Sequence, residues 1–230
     1  AEMVKYASNA FLATKISYIN ELANLCEKIG VNIQDISVGM GLDQRIGDRF
    51  LRAGPAYGGS CFPKDTRALI DVANKYKIDL SIVKNVVKSN NQRKIILTKR
   101  IDKILKNRLK NKNITFLGVT FKPNTDDMRE ASSIPMINYL NKKGSKIRYY
   151  DPSGRKKEFD KLKNVKFYSS ISSACIKSDL IIIHTEWNAF KLLDFKRLVK
   201  KKNFKVFDMR NIYSQHKMRE LKIDYTSIGR

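Results

Sequence analysis

The sequence predicts an α/β protein in which an all-helical part is followed by a Rossmann-like, doubly wound parallel sheet. Up to about residue 92 the apolar residues recur at helical spacing. From residue 113 onward, short apolar strands alternate with helices, the pattern of a parallel sheet covered by helices on both faces. We therefore predict a helical domain over residues 1–92, a connecting helix over 93–112 and a sheet domain over 113–230.

The helical part contains three clear helix patterns. The first covers residues 1–29 and ends at Gly30, because glycine readily adopts the left-handed conformation that ends a helix. The second is predicted over residues 66–77, with Asp65 as its N-terminal cap. A third begins near Leu80 and is expected to continue to Leu109.

The second part contains five strand patterns and a sixth candidate. They are ITFLGV (114–119), KIRYYD (146–151), VKFYS (165–169), DLIIIHT (179–185), KVFDMR (205–210) and, at the end, DYTSIG. Ligands of such sheets bind beyond the carboxyl ends of the strands. Residues expected there are Phe121, Lys122, Asp151, Thr185, Glu186 and Arg210. Gly118 stands alone where a dinucleotide-binding turn has three glycines, so this sheet is not expected to bind a dinucleotide.

The net charge of +24 is concentrated in the second part of the chain. Residues 1–92 carry 12 basic and 9 acidic side chains, whereas residues 93–230 carry 34 and 13. A surplus of this size favours anionic partners such as phosphates, but most of it is expected to reflect lysines on solvated faces. The basic runs lack stacking aromatic residues, so nucleic acid is not expected as a partner. No run of about 18 apolar residues occurs, so no membrane span is expected.

The N-terminus and the cysteines indicate the kind of protein and its compartment. The first residues, AEMVKYASNAFLA, show no basic segment followed by an uninterrupted apolar one, so we expect no secretory signal. They lack an initiator Met and begin within a helix pattern, as expected of a piece of a longer protein. Three cysteines without paired spacing favour a reducing, cytoplasmic location.

The segment GPAYGGSCFPKD (54–65) is the strongest candidate for a reactive site. Cys61 follows a loop rich in glycine and proline and precedes a predicted helix start, where unpaired N–H groups favour a thiolate. The charge of Lys64 adds to that effect. Cys26 and Cys175 instead lie among apolar residues of predicted helices and are expected in the core.

Six collinear motifs resemble those of the UDP-glucose/GDP-mannose dehydrogenase family. They are AEMVKYASNAFLA (1–13), GLDQRIG (41–47), GPAYGGSCFPKD (54–65), GVTFKPNTDDMRE (118–130), IHTEW (183–187) and FDMRN (207–211). The resemblance covers essentially the whole chain and implies the family's central helical domain and its C-terminal UDP-binding domain. The family's N-terminal NAD-binding domain, with its glycine-rich turn, has no counterpart in these residues.

The resemblance also implies a reaction and roles for four residues. The family oxidises the C6 alcohol of a nucleotide sugar to a carboxylate with two NAD⁺. Cys61 would form a thiohemiacetal with the intermediate aldehyde and then a thioester. Lys5 and Asn9, four residues apart on one helix face, would contact the substrate and stabilise the oxyanion. Asp65 would hold the hydrolytic water or tune Lys5.

Further binding residues follow from the same resemblance. Arg52, Tyr57 and Gly58 would surround the sugar and its phosphates, and Phe121, Lys122 and Arg210 would meet the substrate from the sheet domain. Arg45 would reach the site of a neighbouring subunit, which implies a homodimer built on the central helices. Lys64 and Arg129 would contact NAD. No metal is implied.

The substrate remains open between several nucleotide sugars. Ser60 before the cysteine and Phe62-Pro63-Lys64 after it resemble the family branch that oxidises UDP-glucose, whereas the branch for N-acetylated hexosamines tends to have His before the cysteine. A GDP-mannose enzyme is the nearest alternative. A non-catalytic fragment that binds a UDP-sugar is a second alternative, because the chain shows no NAD fingerprint.

Overall fold

A computed structural model describes residues 2–230 as two compact units. The helical unit comprises the residues up to Lys94 together with Ile228–Arg230, and the sheet unit comprises Ile95–Ser227. Within residues 2–230, no helix combines the length and the hydropathy that a membrane crossing requires.

The helical unit is built on one long helix that packs against a shorter one. The helices are α1 (Glu2–Ile29), α2 (Ile33–Gly41), α3 (Cys61–Lys75) and the first part of α4 (Ser81–Ile104). The buried face of α1 includes the small residues Ala10, Ala13 and Ala23, which allow a close approach by α3. The predicted end of α1 is confirmed, since Gly30 follows it with a φ of 74°.

Two predicted helix limits are wrong. Helix α3 begins at Cys61, not at residue 66, and Asp65 does not cap it. The early start is compatible with Pro63, because the N–H that proline lacks has no intrahelical partner in a first turn. Helix α4 ends at Ile104, not at Leu109, because Lys106 and Asn107 take positive φ angles of 52° and 58°.

The sheet unit confirms the predicted doubly wound parallel sheet. Its six strands, all parallel, lie in the order β3-β2-β1-β4-β5-β6. They are β1 (Asn113–Leu117), β2 (Lys146–Tyr150), β3 (Val165–Phe167), β4 (Leu180–Ile183), β5 (Lys205–Asp208) and β6 (Asp224–Ser227). The helices of this unit after α4 are α5 (Ser133–Lys142), α6 (Ile171–Cys175), α7 (Phe195–Leu198) and α8 (Gln215–Glu220), with short 3₁₀ turns at Lys157–Phe159 and Asn188–Phe190.

The strand register brings several loops to one edge of the sheet. The last residue of β1, Leu117, lies beside Tyr150 of β2 and Ile183 of β4. The chain order reverses between β1 and β4, and parallel sheets bind ligands at such a reversal, beyond the carboxyl ends of the strands. Strand β4 is buried along its whole length, which anchors this edge in the core.

The last residues of the chain pack in the helical unit. After β6, the Gly229 N–H donates to Glu27 Oε1 at 2.7 Å, and its carbonyl group accepts from the Ile33 N–H at 2.7 Å. The φ of Gly229 is 70°, and a Cβ atom there would lie 2.4 Å from the Ile33 side chain. Only glycine satisfies both requirements.

Candidate active site

Five predicted site residues of the helical unit lie on two packed helices. Helix α1 carries Lys5 and Asn9 one turn apart, and α3 carries Cys61, Lys64 and Asp65 in its first turns. The buried Asp65 carboxylate joins the two helices, because its Oδ2 accepts a hydrogen bond from Asn9 Nδ2 at 2.6 Å. Asp65 is not the helix cap because α3 begins four residues earlier, at Cys61.

The charges around Asp65 are arranged asymmetrically. Lys5 Nζ lies 3.8 Å from Oδ2, and Lys64 Nζ lies 4.0 Å from Oδ1. Among the described residues, Oδ1 has no hydrogen-bond partner, although Asp65 is fully buried. Leaving a buried acceptor unpaired costs about 1–3 kcal/mol, so this oxygen is suited to accept a hydrogen bond from a water or a ligand hydroxyl group.

Cys61 is exposed, as are Lys5 and Lys64, whereas Asp65 is buried. It is the first residue of α3 and stands one turn before Asp65, so the thiol and the carboxylate start from the same helix face. Ser60 Oγ lies 3.8 Å from its Sγ. Cys26 and Cys175 are buried as predicted, and burial raises the pKa of Cys175 to about 12.

The loop before Cys61 is buried although it has no regular secondary structure. All residues from Leu51 to Gly59 are buried except Arg52, which is exposed. The Tyr57 ring packs against Ala13 and Val86 and meets Phe62 edge-on at 6.0 Å. The ring is therefore part of the core of the helical unit, and the predicted contact of Tyr57 with a sugar stays a prediction. Gly58 is buried, and its contact with a ligand stays a prediction.

Three buried polar residues hold this loop and were not predicted from the sequence. Asn20 of α1 accepts from the Gly54 N–H at 2.8 Å, Arg93 Nε donates to the Gly54 carbonyl group at 3.1 Å, and Asn90 binds both backbone groups of Tyr57. A signal was present in α4, where Asn90 and Arg93 interrupt an apolar stripe at helical spacing.

Gly118 allows a close approach at the edge of the sheet unit. Its φ is 75°, and a Cβ atom would lie 2.5 Å from the Thr185 side chain. Thr185 Oγ1 also donates to the Thr120 carbonyl group at 2.7 Å. The glycine therefore serves the packing of the loop after β1 against the end of β4.

The end of β2 carries a buried acidic residue, and the absence of a dinucleotide site on this sheet stays a prediction. In sheets that bind NAD, an acidic residue near this position hydrogen-bonds the ribose. Here Asp151 is buried, and its Oδ2 accepts from the Val119 N–H at 2.8 Å while its Oδ1 accepts from the Ser153 N–H at 3.0 Å. These backbone groups hold the Asp151 carboxylate in the loop structure of the sheet unit.

Arg210 links the loops at the carboxyl edge. Its Nε donates to the His184 carbonyl group at 2.8 Å, and its Nη2 donates to the Phe121 carbonyl group at 3.0 Å. Glu186 Oε2 forms an ion pair with the same Nε at 2.9 Å. It accepts no hydrogen bond from this nitrogen, because the N–H group points at the His184 carbonyl group. Lys122 Nζ lies 5.4 Å from the centroid of the Phe121 ring and is exposed, so it can meet an anion.

Arg45 and Arg129 each form an ion pair with an acidic residue two positions earlier. Arg45 Nη2 lies 2.6 Å from Asp43 Oδ2, and Arg129 Nη2 lies 2.9 Å from Asp127 Oδ2. Hydrogen bonds from the arginines lower the pKa values of Asp43 and Asp127. Both guanidinium groups are exposed, and their predicted contacts with a second subunit and with NAD remain predictions.

The structure therefore assembles two separate groups of predicted residues. In the helical unit, Asp65 is approached by Asn9, Lys5 and Lys64, and Cys61 stands one turn before it on α3. In the sheet unit, Arg210 donates to the Phe121 carbonyl group, and Lys122 lies beside the Phe121 ring. Among residues 2–230, no group of three or more histidine, cysteine or acidic residues is placed to hold a metal ion.

The chain resembles known proteins over its whole length. Residues 1–92 match the sequence profile described as the UDP-glucose/GDP-mannose dehydrogenase family, central domain, and residues 115–215 match that family's UDP binding domain. The chain belongs to the UDP-glucose/GDP-mannose dehydrogenase family. A UDP-glucose 6-dehydrogenase of Rickettsia typhi is 45% identical over 232 residues, and one of Bacillus subtilis is 45% identical over 237.

The chain spans about half the length of the relatives that it matches. All of the chain aligns with the Rickettsia and Bacillus proteins, but it covers only 54% and 52% of their lengths. A UDP-glucose dehydrogenase structure from Pyrobaculum islandicum has a TM-score of 0.85 at 33% identity, over 97% of this chain and 50% of the other. An NDP-N-acetyl-D-galactosaminuronic acid dehydrogenase of Methanosarcina mazei, at 24% identity and a TM-score of 0.87 over 99% of this chain and 50% of the other, shares the fold.

Proposed function

We propose that the chain is the central and UDP-binding part of a UDP-glucose 6-dehydrogenase, which converts UDP-glucose to UDP-glucuronate through covalent intermediates on Cys61. The observation that carries the proposal is the group around Asp65. An exposed cysteine at a helix start stands one turn from a buried carboxylate that Asn9 and Lys5 approach from another helix. A nucleophile beside cationic and amide donors is the arrangement that acyl chemistry on a thiol requires.

The residues of the helical unit can perform the covalent steps. The Cys61 thiolate adds to the C6 aldehyde carbon, and the C–S bond forms as the carbonyl oxygen becomes an oxyanion. The Lys5 ammonium group is partly exposed and can stabilise that charge. One amide hydrogen of Asn9 is bonded to Asp65, and the other can serve the same oxyanion.

The oxyanion of the thiohemiacetal becomes the carbonyl oxygen of a thioester as a hydride leaves C6, so this step releases no proton. Bound NAD⁺ would supply the hydride acceptor for this oxidation and for the preceding oxidation of the alcohol. Water then attacks the thioester carbon and the C–S bond breaks, which gives the carboxylate, the Cys61 thiolate and two protons that pass to solvent. Asp65 Oδ1, which is buried and has no hydrogen-bond partner among the described residues, would orient that water.

The sheet unit is assigned to the nucleotide. Its match to a UDP binding domain supports this, as do the exposed Lys122 and the aromatic ring of Phe121 beside it. Arg210 already bonds two backbone carbonyl groups, so its main contribution is to hold the loops that meet the substrate. We propose that the enzyme uses NAD and that NAD binds outside this sheet, because the Asp151 carboxylate already accepts hydrogen bonds from backbone N–H groups.

The proposed substrate is UDP-glucose and not GDP-mannose. The relatives named UDP-glucose 6-dehydrogenase align at 45% identity along the whole chain. Ser60 before the cysteine also matches the pattern expected of that branch.

We also propose that the protein forms a homodimer through α1. Apolar side chains at Val4, Phe11, Tyr18 and Leu25 are exposed and recur every seven residues, which is every second turn. A stripe of this kind on a surface helix marks an interface, and a second copy offers the same stripe in an isologous dimer.

Selective alkylation of Cys61 tests the proposed function. Iodoacetamide in mild excess is expected to label Cys61 well before Cys26 and Cys175, because a buried thiol is inaccessible and a thiolate is the reacting form. UDP-glucose should slow the labelling, with half-protection at a higher concentration in Lys122→Ala. Mass spectrometry of the peptides measures each site.

Glucose 6-phosphate, which lacks the uridine group, is the control ligand and should not protect Cys61. Equal labelling of the three cysteines in the folded protein, or labelling of Cys61 that UDP-glucose leaves unchanged, would contradict the proposed function.

A further inference from the structure

The loop that carries the reactive cysteine has an unusual means of support. Residues 53–59 are buried, yet no strand or helix pairs their backbone groups. Buried N–H and carbonyl groups that lack partners are strongly unfavourable, so side chains must supply the missing bonds. In this loop they come from α1 and α4.

Asn90 makes the most complete of these contacts. Its Oδ1 accepts from the Tyr57 N–H at 2.9 Å, and its Nδ2 donates to the Tyr57 carbonyl group at 3.0 Å. The side-chain amide therefore pairs with residue 57 as a neighbouring strand would. Asn90 is 5% exposed, so water does not compete for these bonds.

A second pair of residues fixes the loop three positions earlier. Asn20 accepts from the Gly54 N–H, and Arg93 donates to the Gly54 carbonyl group. Arg93 also donates to Asn24 Oδ1 and to the Asn20 carbonyl group, which ties α4 to α1. Both backbone groups of Gly54 and of Tyr57 are thus held by buried side chains.

These contacts continue to the cysteine. Tyr57 meets Phe62 edge-on at 6.0 Å, and Phe62 is the residue directly after Cys61. Ala56 has a φ of 113°, a conformation that costs about 1–3 kcal/mol and persists only where its surroundings impose it. The bonds at Gly54 and Tyr57 flank this residue and provide that constraint.

We propose that Asn90 is a positioning residue for Cys61, with Asn20 and Arg93 as its support. By holding the backbone of Gly54 and Tyr57, these side chains fix where the Cys61 thiol stands relative to Asn9 and Asp65. They do not touch the reacting atoms. The proposal rests on the proposed function, in which the thiol must meet the sugar at C6.

The test compares how far bound UDP-glucose shields Cys61 in three proteins: the unaltered chain, Asn90→Ala and the control Asn91→Ala. Asn91 is the same residue type at the next position of α4 and is exposed. For each protein, calorimetry first gives the Kd for UDP-glucose, and iodoacetamide labelling is then followed with and without the ligand at ten times that Kd. Matching the occupancy separates a misplaced thiol from weakened binding.

The unaltered chain and Asn91→Ala are expected to show about tenfold slower labelling of Cys61 with the ligand, the factor set by occupancy at ten times Kd. In Asn90→Ala we expect about twofold or less, since a bound sugar no longer covers a displaced thiol. Protection of about tenfold in Asn90→Ala overturns this proposal alone. Absence of protection in the unaltered chain overturns the proposed function and this proposal with it.

Cys26 reports the fold in the same experiment, because it is buried in the helical unit and becomes labelled if that unit opens. If Asn90→Ala exposes Cys26, Asn90→Asp takes its place. The aspartate keeps the acceptor for the Tyr57 N–H and lacks the donor for the carbonyl group, so intermediate protection is expected. Full protection in Asn90→Asp with Cys26 unlabelled would then overturn the proposal.

Discussion

At the scale of single residues, burial gives Asp65 and His184 different properties. Asp65 is held by Asn9 and lies near two lysines, yet one of its oxygens is unpaired among the described residues. His184 is also fully buried, but Ser132 Oγ lies 2.8 Å from its Nε2 and Thr185 Oγ1 lies 3.2 Å from its Nδ1. Asp65 therefore keeps one oxygen that can accept a hydrogen bond from a ligand, whereas both ring nitrogens of His184 already have partners.

The buried His184 is expected to make the sheet unit sensitive to acid. Burial, and to a smaller extent the charge of Arg210, lowers its pKa from 6.5 to about 3. Below pH 6.5 the unfolded chain therefore binds a proton that the folded chain does not, and stability decreases as the pH falls. The free energy of unfolding is therefore expected to be about 2 kcal/mol lower at pH 5 than at pH 8.

Urea titrations at pH 8 and pH 5, followed by the fluorescence of Trp187, measure this effect, since the chain has one tryptophan and it lies in the sheet unit. Between pH 8 and pH 5, the free energy of unfolding should decrease by about 2 kcal/mol less in His184→Gln than in the unaltered chain. His216→Gln is the matched control, because His216 is the exposed histidine of the pair. Equal pH dependence in His184→Gln and the unaltered chain would contradict the prediction.

At the scale of helices and strands, the sequence was sufficient where a pattern is local. Strand β4 follows from the continuous apolar run LIII, and the end of α1 follows from Gly30. The start of α3 could not be predicted in this way. Asp65 followed by Thr66 imitates a helix cap, and only the fold shows that the carboxylate bonds Asn9, 56 residues earlier.

The site was predictable to a similar degree. Cys61 was predicted from its glycine-rich loop and the helix that follows, whereas Lys5 and Asn9 followed from motif resemblance. The packing of α1 on α3 brings these distant motifs together. Asn20, Asn90 and Arg93 were missed because their partners are backbone groups, which leave no trace in side-chain patterns. A polar residue on the apolar stripe of a helix was the available signal.

The tail after β6 is expected to stabilise the helical unit through Gly229. In Gly229→Ala, a positive φ and a collision with the buried Ile33 side chain act together. We expect a loss of about 2–4 kcal/mol in the free energy of unfolding of this unit. Gly30→Ala is the control, because Gly30 has a similar φ of 74° with nothing within 4 Å, and it should cost about 1 kcal/mol.

Alkylation of Cys26 across a urea series measures these losses, since Cys26 is the buried cysteine of the helical unit. Equal losses in Gly229→Ala and Gly30→Ala would show that the contact with Ile33 does not restrict residue 229.

At the scale of the whole molecule, charge and apolar surface are distributed differently. Most of the +24 net charge lies in residues 93–230, consistent with a proposed nucleotide diphosphate ligand there. The exposed apolar stripe lies instead on α1, which also carries Lys5 and Asn9. A dimer formed through α1 would therefore support the helix that presents two of the proposed site residues.

Disruption of this stripe is expected to produce a monomer. Phe11 lies near the middle of the stripe and is 66% exposed in the single chain, and a glutamate there would place two like charges together across an isologous interface. Sedimentation velocity of the unaltered chain should give twice the monomer mass, whereas Phe11→Glu should give the monomer mass at the same concentration.

Leu192→Glu is the matched control, because Leu192 is 93% exposed and lies outside the stripe, in the sheet unit. This variant should remain a dimer. A monomeric unaltered chain, or a dimer that survives Phe11→Glu, would refute assembly through α1, because an interface centred on Phe11 cannot bury the two carboxylates without a penalty of several kcal/mol.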